Sequence, residues 1–244
     1  MRVEISTDSA DGAVAADRLG ADRIELCSAG ALGGLTPGPG LLSAVLDRCH
    51  RSQVHVLIRP REGGFAYSPT EVAAMRADVR HAVSAGATGV VVGALGADGR
   101  LDAAVLGELI SEAGGVPVAL HRAIDVCPDP VEAAHIAAEL GVRRILTSGG
   151  ATRAEDGVPV LRRMAGAGIT LTACGGIRSH NARRIAEAAG IDEIHAAPRR
   201  QVPSPGGEVG FGPHALLDEA ETRDLIATAR LISGAGLNPD RRAT

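Results

Sequence analysis

Short apolar runs alternate with longer alanine-rich segments along most of this chain. The runs lie at 3–6, 23–27, 54–59, 89–93, 117–121, 144–147, 169–174 and 193–195. Their length and their β-branched residues are typical of buried strands. The intervening segments carry apolar residues at helical spacing. They predict helices near 10–19, 40–50, 70–85, 102–113, 130–140, 156–167, 180–189 and 218–233.

Residues that begin and end helices support these boundaries. Ser68-Pro69 stands ahead of Glu71, and Asp129-Pro130 stands ahead of Glu132, as at capped helix starts with proline in the first turn. Glycines follow five of the predicted helices, a pattern typical of helix ends. These glycines are Gly20, Gly86, Gly141, Gly168 and Gly190.

Eight strands alternating with eight helices predict a (β/α)₈ TIM barrel. A doubly wound sheet is the alternative, but no G-x-G-x-x-G follows the first strand, so no nucleotide cofactor is expected. We expect one barrel domain over residues 1–235, a loop at 198–214 after the last strand, and a mobile tail at 236–244.

Composition narrows the function classes. Hydrophobic residues make up 45% and charged residues 22% of the 244 positions, which excludes a disordered chain. No run reaches the roughly 18 apolar residues of a membrane span. The first residues lack the apolar segment of a secretion signal, so we expect a cytoplasmic protein. A net charge of −4 and three aromatic residues argue against nucleic-acid binding.

The chain contains no lysine: all 25 basic residues are arginines. Catalysis through a Schiff base on a side-chain amine is therefore excluded. The four cysteines form no C-x-x-C pair, and no disulfide framework is expected in a reducing compartment.

Side chains alternate between the two faces of a strand, so the sequence predicts which ones point into the barrel. The predicted inward residues are Glu4, Ser6, Glu25, Cys27, His55, Arg59, His121, Thr170, Thr172, Cys174, Glu193 and His195. Strands of such barrels carry functional side chains at their carboxyl ends. Because a buried carboxylate needs a partner, we expect Arg59 and Arg61 to pair with Glu4 and Glu25. These inward polar residues form either an internal salt-bridge network that stabilises the barrel or a functional site.

Two pairs of glycines suggest that the ligand carries an anionic group. Ser148-Gly149-Gly150 follows the sixth strand, and Gly175-Gly176 follows the seventh. Backbone N–H groups at such turns can surround an anion, and barrels commonly bind phosphate in this sector. Arg122 or Arg153 would add positive charge nearby.

Several segments resemble the CutC family, whose members are called copper homeostasis proteins. The segments are GADRIELCS at 20–28, GGLTP at 33–37, IRPR at 58–61, Tyr67-Ser68, HRA at 121–123 with Asp125, and ILTSGG at 145–150. The match runs in register from about residue 2 to 200. It implies a (β/α)₈ barrel, a cytoplasmic homodimer or homotetramer, and a role in handling copper(I).

The resemblance implies copper(I) binding at Cys27. The family often has a cysteine where this chain has Ser6, and copper(I) prefers thiolate ligands. Cys174 and His195 are the candidate further ligands.

Two function classes follow from the sequence. The first is a copper(I)-binding protein. The second is a lysine-independent isomerase, epimerase or lyase acting on a small anionic or phosphorylated carbonyl compound. In the second, His121 or Glu25 is the base, Arg59 and Arg61 stabilise an oxyanion, and Asp125 completes the catalytic group. Glu4, Arg122, His195 and the glycine turns would hold the ligand.

Overall fold

The computed structural model describes residues 1–203 and 213–234, without the side chains of 232–234. Eight strands form a closed parallel barrel in the order β1 to β8. They are β1 (Arg2–Thr7), β2 (Arg23–Leu26), β3 (Gln53–Leu57), β4 (Gly89–Val92), β5 (Val118–Leu120), β6 (Arg144–Thr147), β7 (Thr170–Ala173) and β8 (Glu193–Ala196). The predicted (β/α)₈ architecture is confirmed.

Helices follow the strands. They are α1 (Ala10–Leu19), α2 (Pro39–Leu46), α3 (Pro69–Ala85), α4 (Ala103–Glu112), α5 (Pro130–Glu139), α6 (Val158–Met164), α7 (Ser179–Ala189) and α8 (Glu219–Gly234). The start of α3 is a capping box: the Glu71 N–H donates to the Ser68 hydroxyl, while the Ser68 N–H donates to the Glu71 carboxylate. Gly86 ends α3 at φ 102°, a conformation that favours glycine.

The barrel closes where β1 pairs with β8, with Glu4 opposite His195. On the other side of β1, Ser6 lies opposite Glu25 of β2. The closure therefore brings chemistry-bearing residues from both ends of the sequence to one place. The apolar faces of the strands pack outward against the helices, where buried side chains such as Ile5, Ile24 and Leu106 form the core.

The barrel interior is layered along its axis. At the amino ends of the strands lies a charged network around Glu4. Above it is a small apolar layer of buried side chains from six strands or strand ends. This apolar layer consists of Cys27, Leu57, Val91, Ala119, Leu146 and Cys174. The carboxyl ends of the strands open above it.

The segment after β8 differs from the expected loop. Strands β9 (Arg199–Val202) and β10 (His214–Leu217) form a two-stranded antiparallel sheet. The loop prediction for 198–214 is therefore wrong at Arg199–Val202 and at His214, because RRQV lacks the apolar signal of the barrel strands and HALL is only four residues long. The predicted tail at 236–244 lies outside the described residues. No helix in the described ranges has the length and apolarity to cross a lipid bilayer.

Candidate functional site

A cavity of about 360 Å³ opens at the carboxyl ends of the strands. We call it the mouth cavity. Its lining comes from six of the eight barrel strands and the loops that follow them, five of which contribute polar or aromatic side chains. These lining residues include Glu25, Arg59, Phe65, His121, Arg122, Cys174, Gly175, Gly176, Arg178 and His195. Seven residues that the sequence predicted as catalytic or ligand-binding therefore line one cavity: Glu25, Arg59, His121, Arg122, Gly175, Gly176 and His195.

Glu4 lies beneath the mouth cavity and contacts two arginines and a histidine. Its carboxylate is 2.7 Å from Arg144 Nη2, 3.3 Å from Arg23 Nη1 and 2.7 Å from His195 Nδ1. Burial by itself would raise the pKa of Glu4, but the charge of Arg144 and the contact with His195 hold this pKa well below its ordinary value. Glu4 is therefore an ionised positioning group and does not line the cavity.

This network corrects the expected ion pairs. The sequence predicted Arg59 and Arg61 as partners of Glu4 and Glu25, whereas the partners of Glu4 are Arg23 and Arg144. Both of these arginines are the first residues of strands and point inward, as does Glu193, which is 3.1 Å from Arg23 Nη1. The period of two that identified Glu25 as inward also places Arg23 inward, so the signal was present in the sequence.

His195 connects the buried network with the mouth cavity. Its Nδ1 contacts Glu4, so the neutral ring carries its proton on Nδ1 and presents the Nε2 lone pair to the cavity side. Burial opposes protonation of His195, but Glu25 and Glu4 outweigh it and raise the pKa above its ordinary value. His195 is thus a base whose conjugate acid is stabilised by two carboxylates.

Glu25 faces His195 across the floor of the cavity, with Oε2 3.9 Å from Nε2. Burial is the main cause that raises the pKa of Glu25; Glu4 adds to this, and His195 opposes it. An acid with a raised pKa next to a base with a raised pKa can exchange a proton with it or with a ligand between them. The described residues contain one three-residue group with metal-ligand spacing, and it is Glu4, Glu25 and His195.

His121 is held as a neutral hydrogen-bond donor. The Ala123 N–H donates to Nδ1 at 3.1 Å, so the ring proton is on Nε2. Nε2 is buried and has no partner among the described residues. Burial and the charge of Arg59 lower the pKa of His121 to about 3. This geometry favours a donor role at Nε2 over the base role that the sequence suggested, because the only other nitrogen is already an acceptor.

Arg59 and Arg61 have structural partners. Arg59 lines the mouth cavity, donates to the carbonyl oxygens of Leu32, Gly34 and Gly63, and lies 5.2 Å from the centre of the Phe65 ring. Arg61 is outside the cavity lining, where it pairs with Glu71 at 2.5 Å. The predicted catalytic role of Arg61 therefore does not match its position, since its charge is used to anchor the loop before α3.

Asp125 occupies the predicted anion site at the first glycine turn. Its carboxylate accepts hydrogen bonds from the Ser148 and Gly150 N–H groups at 3.0 and 3.1 Å and from the Thr147 hydroxyl at 2.6 Å. Arg122 Nε donates to the same carboxylate at 2.7 Å. The expectation of a ligand anion at Ser148, Gly149 and Gly150 is wrong because the chain supplies its own carboxylate there.

The second glycine turn retains its donors. The N–H groups of Gly175 and Gly176 donate to no described residue, and both glycines line the mouth cavity at φ 92° and 75°. Arg178, next to the first residue of α7, also lines the mouth cavity, and its Nη1 donates a hydrogen bond to the carbonyl oxygen of Ile177. Sequence reasoning missed Arg178 and Phe65, although Arg178 is only two positions after Gly176.

The cysteines fit copper(I) poorly. The Cys27 thiol is 3.8 Å from the Ser6 hydroxyl and donates to the Thr7 carbonyl oxygen. Burial and the charge of Glu25 raise its pKa to about 12, whereas copper(I) binds the thiolate. Within the described chain, Cys27, Cys174 and His195 do not form a group with metal-ligand spacing. These three residues therefore do not form one three-ligand centre, and a pairing of Cys27 with Cys174 or with His195 stays a prediction.

Comparison with known proteins agrees with this fold. The family model described as the CutC family matches residues 1–199. A CutC family protein of Bacteroides thetaiotaomicron is 40% identical over 238 residues, covering 94% of this chain and 95% of its own. One of Sinorhizobium medicae is 45% identical over 198 residues, covering 80% of each chain.

Among solved structures, a provisionally named copper homeostasis protein CutC from Streptococcus agalactiae superposes with a TM-score of 0.75 at 25% identity. The match covers 80% of this chain and 97% of that one. Family model, relatives and structure point the same way: the chain belongs to the CutC family.

Proposed function

We propose that this protein is an acid–base enzyme that moves a proton next to the carbonyl group of a small anionic substrate. The observation that carries the proposal is the pair formed by Glu25 and His195, 3.9 Å apart on the floor of the mouth cavity. Burial raises the pKa of Glu25, and neighbouring carboxylates raise that of His195. Groups with such pKa values serve as general acid and base near neutral pH.

His195 Nε2 removes the proton from the carbon next to the carbonyl. The C–H electron pair forms the new C=C bond, and the carbonyl electrons move to oxygen, which gives an enediolate. Glu4 holds His195 through Nδ1 at 2.7 Å and stabilises the imidazolium that forms. In an α-hydroxycarbonyl substrate, protonated Glu25 then donates its proton to the former carbonyl carbon. The substrate hydroxyl proton moves to the former carbonyl oxygen, the new C=O bond forms at the carbon that lost its proton, and the proton on His195 restores Glu25.

The oxyanion that develops requires a donor that is not ionised itself. His121 Nε2–H meets this requirement, because the pKa of about 3 keeps the ring neutral at every pH at which the enzyme would work. It has no other partner among the described residues. A preorganised donor of this kind stabilises charge only as it forms, which is how it lowers the barrier.

The anionic group of the substrate fits the opposite wall. Arg122 and Arg178 border the mouth cavity there, next to the N–H groups of Gly175 and Gly176. Since the first glycine turn is filled by Asp125, the second one is the better place for a phosphate or carboxylate. The absence of lysine excludes an imine route, which favours an isomerase, epimerase or lyase working through an enediolate.

Exchange of substrate hydrogen with deuterium tests the proposal directly. The protein is incubated in heavy water with a panel of phosphorylated sugars and 2-keto acids, and loss of the C–H signal is followed by NMR. We expect exchange on at least one member, reduced about 10²-fold or more in Glu25→Gln and in His195→Gln. Glu71→Gln is the matched control, because Glu71 pairs with Arg61 outside the cavity.

Exchange that persists in a folded Glu25→Gln variant would contradict the role of Glu25, and an inert panel would contradict the substrate class. Circular dichroism and thermal unfolding of each variant separate loss of chemistry from loss of structure.

Copper(I) handling is the second candidate, supported by the name of the Streptococcus agalactiae protein. In this chain the copper would be cargo bound at Cys27, with Ser6 in place of a second sulfur. Titration of the reduced protein against a copper(I) chelator distinguishes the two functions. We expect weak binding that Cys27→Ala leaves unchanged; tight binding of one copper per chain, lost in that variant, would establish the copper role instead.

A cytoplasmic homodimer or homotetramer is proposed for this chain on the family resemblance. All four cysteines are buried and free, which agrees with a reducing compartment.

A further inference from the structure

A second cavity, of about 270 Å³, lies at the opposite end of the barrel. We call it the base cavity. It is lined by first residues of strands, which share the amino-terminal face of the sheet because all eight strands are parallel. The polar side chains at its lining include Arg2, Arg23, Gln53, Arg144, Thr170 and Glu193.

Positive charge exceeds negative charge around the base cavity. Arg2, Arg23, Arg143 and Arg144 line it, whereas Glu193 is its one lining carboxylate among the described residues. Glu4, behind Arg23 and Arg144, is the second carboxylate in contact with these arginines. Four guanidinium groups thus face two carboxylates, in a concave space where charge is screened less than on an open surface.

Two of these arginines have unused hydrogen-bonding capacity. Arg23 is 5% exposed and makes both of its ion pairs through Nη1, at 3.3 Å to Glu4 and 3.1 Å to Glu193. Its buried Nε has no partner among the described residues. Arg143 is exposed and forms no ion pair with any described residue. Gln53 and Thr170 add neutral donors at the rim.

His55 lies in the wall of the base cavity, with Nδ1 3.2 Å from Arg144 Nη2. Burial is the main cause that lowers the pKa of His55 to about 3; the charges of Arg144 and Arg23 add to it, and Glu4 opposes it. The ring is therefore neutral and accepts a hydrogen bond from Arg144 without adding charge to the cavity.

We propose that the base cavity is a binding site for a small multivalent oxyanion, phosphate in its simplest form. Arg143 and Arg23 bind the oxyanion, while Arg144 and His55 form the wall behind it. This site is separate from the mouth cavity and does not depend on the proposed enzyme activity. Free phosphate and a phosphate group on a metabolite share this chemistry, so a phosphorylated ligand would bind through the same contacts.

Calorimetric titration of the intact protein with inorganic phosphate at low ionic strength tests the proposal. We expect one binding event at the base cavity, weakened about tenfold or more in Arg143→Glu, the effect of losing one charge-assisted hydrogen bond. Arg163→Glu on α6 is the matched control, because Arg163 is also exposed and lies away from both cavities. A crystal grown with selenate should show the anion between Arg143 and Arg23.

Phosphate could instead bind in the mouth cavity. The variant Arg178→Ala detects such binding, because Arg178 lines that cavity. Binding that is lost in Arg178→Ala and retained in Arg143→Glu would overturn the base-cavity proposal. So would the absence of any phosphate binding, or equal affinity in the Arg143→Glu and Arg163→Glu variants. None of these outcomes changes the deuterium-exchange result, so the two proposals fail independently.

Discussion

Glycines at two places on the fourth strand and its end make room for the two inward histidines. A Cβ at Gly89 would overlap the ring of His55, and one at Gly93 would overlap the ring of His121. Both histidines are almost fully buried, and their pKa values of about 3 follow from that burial. Because β4 has glycine at these two positions, the imidazole rings of His55 on β3 and His121 after β5 can occupy the space that a side chain would fill.

Replacing Gly93 with alanine tests this close packing. We expect Gly93→Ala to destabilise the protein by about 1–3 kcal/mol and to displace His121, because the ring must move away from the new methyl group. Gly107→Ala is the control: nothing lies within 4 Å of a Cβ at this helical position. Alanine is the better helix former, so this variant should gain up to about 1 kcal/mol. Urea unfolding measures both, and equal stability of the two variants would contradict the packing argument.

At the scale of elements, one carboxylate joins four strands. Glu4 on β1 contacts Arg23 on β2, Arg144 on β6 and His195 on β8. These contacts hold His195 and the base-cavity arginines in a single network. The buried charges are matched to one another, so the network is sensitive to the loss of any one member.

Glu4→Gln should be strongly destabilising for this reason. The substitution leaves Arg23 and Arg144 buried with a neutral amide, and we expect a loss of about 3–5 kcal/mol in the free energy of unfolding. Glu187→Gln removes the partner of Arg183 in an exposed pair at 2.7 Å and should cost no more than about 0.5 kcal/mol. A cost below about 1 kcal/mol for Glu4→Gln, measured by chemical unfolding, would show that the network is not essential for stability.

The whole molecule should lose stability in mild acid. His55 and His121 have folded pKa values of about 3 against an ordinary 6.5, so below pH 6.5 the unfolded chain binds more protons. Each then lowers the free energy of unfolding by about 1.4 kcal/mol per pH unit as the pH falls. Glu4 acts in the same direction at lower pH, because its stabilisation is lost as the pH falls through its depressed pKa.

Glu25 acts in the opposite direction between its ordinary and its raised pKa, and His195 loses its stabilisation as the pH rises through its raised pKa. A comparison between variants isolates one histidine from these effects. Between pH 5.5 and 4.5, where the unfolded chain carries this proton almost fully and the folded protein does not, His121→Gln should have a slope smaller by about 1.3 kcal/mol per pH unit than the original protein. Gly107→Ala, which removes no titratable group, should keep the original slope. Identical slopes in all three proteins would contradict the neutral state of His121.

The periodic pattern of the sequence by itself determined the barrel and the inward direction of Glu4, Glu25, His55, His121 and His195. Period-two alternation and strand–helix alternation are local properties, so neighbouring residues are sufficient to predict them. The glycine turns and the absence of lysine likewise defined candidate chemistry before any contact was known.

Only the tertiary structure decided which charges meet. Glu4 binds Arg144, which is 140 positions away in the sequence, because the closed barrel brings β1 and β6 to one axis. Asp125, 23 to 25 positions earlier in the sequence, fills the first of the two glycine turns that were expected to bind an anion, and the expectation for the second turn stays a prediction. Local pattern gives the direction of a side chain, whereas its partner depends on how distant segments pack, and in this protein the partners determine the function of each residue.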